Sequence, residues 1–176
     1  MRLNKILFFL SFILGSTHIF CQNLSIDSLY KQLNKSNQDS SRYSILMKIG
    51  SYYQDNNPDT SIVIFHLAIN VAKKIPIPEG ELNQGEAIRN IGWSYAIKGE
   101  INQSKDFFNK SYKIAEKYIL HKDPYIHKMA NKNLAACIGS LGSLHFNLSD
   151  YPKSLEYHFR ALKINEKIGN KNLIKF

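Results

Sequence analysis

Residues 88–95 read Ile88-Arg89-Asn90-Ile91-Gly92-Trp93-Ser94-Tyr95. Two isoleucines stand three apart, a glycine follows, and a ring comes three residues after the glycine. Positions three and four apart share one face of a helix, so Gly92 lies on an apolar stripe. Glycine costs about 1 kcal/mol relative to alanine inside a helix, so its place there needs a packing reason. The same order recurs upstream as Leu46-Met47-Lys48-Ile49-Gly50-Ser51-Tyr52-Tyr53. It recurs downstream as Ile138-Gly139-Ser140-Leu141-Gly142-Ser143-Leu144-His145. A neighbouring helix can approach closely where each glycine removes a side chain.

A second helix pattern follows each of these. Ser61, Phe65 and Ala68 mark the first, Ser104, Phe108 and Ser111 the second, and Ser154, His158 and Ala161 the third. Small residues recur seven apart, with a ring four after the first. Between the paired helices stand Asn56-Asn57-Pro58-Asp59, Lys98-Gly99-Glu100 and Leu148-Ser149-Asp150, all turn or N-cap chemistry. Internal repetition of this kind is the signature of a stacked array.

The pattern resembles the tetratricopeptide repeat, which sets a large apolar residue, Leu, Gly and Tyr on helix A. A turn glycine follows, then Ala, a ring and Ala on helix B. Ile88, Ile91, Gly92, Tyr95, Gly99, Ser104, Phe108 and Ser111 match it best. The third repeat resembles exported members of the family from Bacteroidota-type bacteria. Ser replaces the first helix-B Ala throughout, His145 and His158 replace rings, and the first turn is one residue short. Gly92 lies 42 residues after Gly50 and Gly142 a further 50, against a family period of about 34. The surplus falls at Ile75-Pro76-Ile77-Pro78-Glu79-Gly80 and at Lys122-Asp123-Pro124, with Asp123 expected as an N-cap and longer helices nearby.

The resemblance implies an all-α fold: antiparallel helix pairs in a right-handed superhelical solenoid. Three repeats are expected over 40–75, 81–121 and 124–169, after a leading helix in 22–39 carrying Ile26, Leu29, Tyr30 and Leu33. Gly50, Gly92, Gly142, Tyr53, Tyr95, Ala68, Ser111 and Ala161 are the expected packing positions. Gly139 reads as a further packing glycine, and Gly169 as a helix stop. Residues 170–176 would open a fourth helix A, which makes the chain the N-terminal part of a longer protein. A stop codon directly after Phe176 in the intact gene would refute that.

Residues 1–21 have Arg2 and Lys5, the apolar run Ile6 to Leu14, and a small-residue end at Cys21. This is the layout of a secretory signal, with a lipid anchor at Cys21 the alternative, poorly served by Phe20. The net charge of +9 includes two leader charges, leaving +7 for the rest. Lysine is scattered without a run of five, so a nucleic-acid role is not expected of this segment. No membrane contact is expected beyond the leader. Outside the leader Cys137 is alone, reads as a small buried apolar residue, and allows no internal disulfide.

No phosphate-cradling glycine motif, Walker lysine or nucleophile elbow is present. Neither a cofactor nor a metal is expected. Glu79 and Glu81 read as flanking a loop. His121 and His127, six apart, suit surface positions better than a metal pair. His145 and His158 are expected to pack on each other's helices. Asn-x-Ser sequons, Asn109 among them between inward-facing positions, read as a by-product of composition.

Family ligands lie along the concave groove of the A helices. Carried over, groove positions fall at Ser44, Met47, Ser51 and Gln54 in the first repeat. They fall at Glu86, Arg89, Asn90, Trp93 and Ile97 in the second, and at Ala136, Ser140, Ser143 and Phe146 in the third. Trp93 is either a binding hot spot or a residue packed on the neighbouring helix A. The clamp for a C-terminal carboxylate found in chaperone-binding relatives is largely missing. The resemblance therefore implies a non-enzymatic scaffold for a protein or peptide. It would serve as the periplasmic sensor or adaptor part of a signalling protein with a membrane-anchored output domain. A small exported enzyme and a structural spacer are the competing readings.

Overall fold

The computed structural model describes residues 26–169, and the chain divides after Ser36. In the first unit a helix, α1, covers residues 26–35. Gln32 Nε2 donates to Ser28 Oγ one turn back.

The second unit carries six helices among its described residues: α2 (Asp39–Tyr53), α3 (Pro58–Ala72), α4 (Glu79–Ile97), α5 (Ile101–Glu116), α6 (Pro124–Asn147) and α7 (Tyr151–Lys167). The helices pack as adjacent pairs, α2 with α3, α4 with α5 and α6 with α7, and each pair also packs on the next. No strand occurs among the described residues. The expected leader at 1–21 and the expected start of a further helix at 170–176 lie outside them.

The pairing rests on the three repeated glycines. A Cβ on Gly50 would lie 2.5 Å from the Phe65 ring, and one on Gly92 would lie 2.7 Å from Phe108. On Gly142 it would lie 3.0 Å from the His158 imidazole. Each ring of a B helix therefore occupies the notch left by the glycine of its own A helix. Phe65 and Phe108 are fully buried. His145 stacks on Tyr157 at 5.4 Å, so both histidines of the third pair pack across it. Tyr95 likewise stacks on Phe107. Ala68, Ser111 and Ala161 are buried, and Tyr53 is half-buried.

The turns follow from local chemistry. In pairs two and three the A helix ends in the same hydrogen-bond pattern. Glu100 N bonds Tyr95 O and Gly99 N bonds Ala96 O, while Asp150 N bonds His145 O and Ser149 N bonds Phe146 O. This closure needs a left-handed residue, and Gly99 (φ +79°) and Ser149 (φ +60°) supply it. In the first pair α3 is capped instead by Asn57, whose side chain accepts from Thr60 N at 3.1 Å. Asp123 caps α6, accepting from Tyr125 N and Ile126 N. Gly169, at φ +70°, closes α7.

The long spacing is absorbed largely by the A helices, α4 with 19 residues and α6 with 24, against 15 in α2. Three expectations need correction. Glu79 and Glu81 do not flank a loop; they form the first turn of α4, where carboxylates face the positive end of the helix. Gly80 stands in that turn because a side chain would run into the carbonyls of Ile75 and Ala72. Gly139 is no packing residue: a Cβ there meets nothing within 4 Å. Asn109 is exposed on α5 rather than enclosed between inward-facing positions.

Candidate functional site

The A helices α2, α4 and α6 are tied side by side through side chains. Gln54 Nε2 donates to Asn90 O at 2.9 Å, and Tyr43 lies on the carbonyl of Asn83 at 2.8 Å, joining α2 to α4. Asn133 Nδ2 donates to Leu82 O at 2.9 Å, and Trp93 Nε1 to Ser140 Oγ at 2.9 Å, joining α4 to α6. Main-chain carbonyls that already serve a helix accept a second bond with their spare lone pair.

An open depression of about 430 Å³ lies on this row, lined by Tyr43, Ser44, Met47, Lys48 and Ser51 of α2 and by Glu86 of α4. Ser44, Lys48 and Ser51 are exposed and Met47 is half-buried. Tyr43 is buried, and its one proton is shared between Asn83 O and Glu86 Oε2, 3.0 Å away. Burial, reinforced by the Glu86 charge, pushes this phenol well above the usual tyrosine range. It stays protonated and holds the Glu86 carboxylate in place. The floor thus offers a thioether, two exposed hydroxyls, and a carboxylate and ammonium of opposite sign. That mixture suits an extended peptide with apolar and polar side chains.

Four of the expected groove residues meet there: Ser44, Met47, Ser51 and Glu86. Arg89 stands one turn beyond Glu86 and is half-buried. The side chains of Gln54 and Trp93 are occupied in joining helices, whereas Asn90 takes part through its main-chain carbonyl and is half-buried. Trp93 also meets Phe108 edge-on at 5.5 Å, and of its two readings the packed one describes its contacts. Ser140 is buried beneath it, with Ala136 and Ser143 half-buried nearby on α6. Ile97 and Phe146 are exposed at the ends of their helices, Phe146 edge-on to Tyr151 at 5.5 Å. Tyr43 and Lys48 were not among the expected positions. Helical spacing pointed to both: Tyr43 is four before Met47 and Lys48 four after Ser44.

Elsewhere, Cys137 is fully buried with Ser111 Oγ 2.9 Å from its sulfur, and burial raises its thiol. His121 Nδ1 accepts from Asp123 N beside the α6 cap. Among the described residues no group of three or more His, Cys, Asp or Glu could hold a metal ion. No described helix is long and apolar enough to cross a membrane. No family model matches the sequence, and no curated protein matches it.

Proposed function

We propose that this chain is a tetratricopeptide-like array whose A-helix face holds a protein or peptide partner without catalysing a reaction. The pairs would coil as a right-handed superhelix with α2, α4 and α6 on the concave side. The observation that carries the reading is the depression on α2 and α4. Its wall contains Ser44, Met47, Ser51 and Glu86, four positions that the repeat pattern assigns to a ligand groove. An open, mixed-polarity surface on rigid helices suits recognition of extended chain segments. The leader sequence supports export to the extracytoplasmic side of a bacterial envelope. By analogy with exported arrays of this kind, the segment would be the sensor or adaptor part of a signalling protein.

A photo-cross-linking amino acid at Met47 or Ser51, compared with one at the exposed Val63 of α3, tests the groove in intact cells. Discrete adducts from Met47 and Ser51 that are absent from Val63 are expected. No adduct from either, or the same adducts from Val63, would refute it. Deleting residues 2–21 should retain the protein in the cytoplasm; unchanged fractionation would remove the export proposal.

A further inference from the structure

The bonds between A helices fix which helix ends share an edge. Tyr43 meets Asn83 and Gln54 meets Asn90, while Leu82 meets Asn133 and Trp93 meets Ser140. Both partners advance together, so α2, α4 and α6 run parallel. Each B helix runs back along its own A helix. The loops after α3 and α5 therefore emerge at one edge, beside the starts of α4 and α6. Tyr118 bonded to Glu81, and Asn131 bonded to the carbonyl of Ile119, hold the second loop there.

This edge turns one aliphatic side chain inward and one outward in each loop. In the first, Ile75 is buried and Ile77 is 71% exposed. In the second, Ile119 packs on Leu82, Ile126 and Ala130, while Leu120 is 88% exposed. Tyr125, in the first turn of α6, is 60% exposed. A single exposed apolar residue is ordinary on a protein surface. Here the three most exposed large hydrophobic residues among the described ones stand on the same edge.

Charge is segregated in the same sense. Lys73, Lys74, Lys117, Lys122 and Lys128 are all exposed around these tips. Of the acids nearby, Glu81 is engaged by Tyr118 and Lys117, and Asp123 caps α6, which leaves Glu79 and Glu116. The opposite edge carries Asp55, Asp59, Glu100 and Asp150, with Lys98 and Lys153 paired to three of them. A lysine at a helix end also faces the negative pole of that helix. That accounts for each lysine singly, but not for the bare aliphatic side chain beside it.

We infer that this edge rests on an anionic bilayer surface, with Ile77, Leu120 and Tyr125 entering the interface and the lysines meeting lipid headgroups. Aliphatic tips gain burial there, a tyrosine ring sits at headgroup depth with its hydroxyl wet, and lysines are drawn to anionic lipid. The exposed tips belong to different loops. A fluid interface takes up such separate points, whereas a folded partner needs a continuous complementary surface. Contact of this kind is peripheral, and it departs from the expectation that membrane contact ends with the leader. It is distinct from the A-helix depression and does not depend on it.

The test places an environment-sensitive nitrobenzoxadiazole label on the full chain at Leu120→Cys, with Cys21→Ser so that only buried Cys137 remains besides. A second protein carries the label at Asn56→Cys on the opposite edge. Vesicles of phosphatidylcholine with about one-third phosphatidylglycerol are titrated in, and pure phosphatidylcholine vesicles serve as the comparison. The label at position 120 is expected to shift to the blue and brighten with the anionic vesicles only, while the label at position 56 stays in water. Lys74→Gln with Lys122→Gln should raise the lipid concentration for half the response about tenfold. No response at position 120 would overturn the inference, as would an equal response to pure phosphatidylcholine or an equal response at position 56. A response to poly-glutamate instead of vesicles would make the occupant an acidic polypeptide and overturn the lipid assignment.

Discussion

Ser61 and Ser104 hold the same place in their helix pairs, and their hydroxyls meet different fates. Ser61 Oγ donates to Gly50 O at 2.9 Å and lies 3.1 Å from Ser94 Oγ. Ser104 Oγ is fully buried with no partner among the described residues. The register-equivalent of Ser94 on α6 is Leu144, which offers no polar atom. The Gly-to-Ser interval is also one residue longer in the second pair. A net hydrogen bond is worth about 1 kcal/mol, and a buried hydroxyl left unpaired costs a similar amount or more. Ser61→Ala should therefore lower unfolding stability by about 1 kcal/mol, while Ser104→Ala should leave it unchanged or raise it by up to about 1 kcal/mol. Urea midpoints measured side by side check this; equal losses would show that both hydroxyls are satisfied. The repetition of small residues was legible in the sequence. Which hydroxyl finds a partner was not, because that depends on how its own A-helix carbonyl and a residue of the next helix pair are placed around it.

At the scale of the element, the A-helix ends of pairs two and three use one closure with different residues. Ser149 adopts φ +60° where Gly99 adopts φ +79°. Left-handed backbone costs a residue with a Cβ about 1–2 kcal/mol, partly offset by the greater freedom of glycine in the unfolded chain. Ser149→Gly should raise stability by about 0.5–1 kcal/mol, and Gly99→Ala should lower it by about 1 kcal/mol. Thermal unfolding of the two variants decides whether the shifts have opposite sign. The contact between α4 and the end of α5 is pH-dependent. Tyr118 Oη donates to Glu81 Oε2 at 2.6 Å, which lowers the carboxyl from its ordinary 4.5 and, with burial, pushes the phenol up to about 12. The carboxylate's contribution is present above about pH 4.5 and is lost as pH falls through its lowered folded value. The phenol's contribution is complete below about pH 10 and is lost as pH rises towards 12. Tyr118→Phe should flatten both limbs of a stability-against-pH curve; an unchanged curve would deny the coupling. Helix existence was readable from periodicity. The start of α4 was not: the Pro- and Gly-rich stretch reads as a break, but Gly80 belongs to the helix and owes its place to the carbonyls of Ile75 and Ala72.

At the scale of the whole molecule, one joint is used three times, tightest in the first pair and loosest in the third. The imagined Cβ lies 2.5, 2.7 and 3.0 Å from the ring opposite, in chain order. That joint was legible from residues 88–95 and their two copies, because a glycine on an apolar helix face weakens the helix unless a neighbour packs into its notch. The depression was half legible. The family resemblance brought out Ser44, Met47, Ser51 and Glu86, but Gln54 and Trp93 are taken up in joining neighbouring helices, which no single-helix pattern reveals. The most direct test of the joint compares Gly92→Ala with Gly139→Ala by thermal unfolding. At Gly92 the added methyl presses on Phe108, which is fully buried and backed by Trp93. Overpacking of about 1–3 kcal/mol should outweigh a helix-propensity gain of up to about 1 kcal/mol. At Gly139 the methyl meets open space, so only the gain remains. Gly92→Ala is expected to lower Tm and Gly139→Ala to raise it, each by a few degrees, roughly 2–4 °C per kcal/mol. A rise in Tm for both would mean that Gly92 is not a notch for Phe108, and that these helices pair by some means besides the glycine joint.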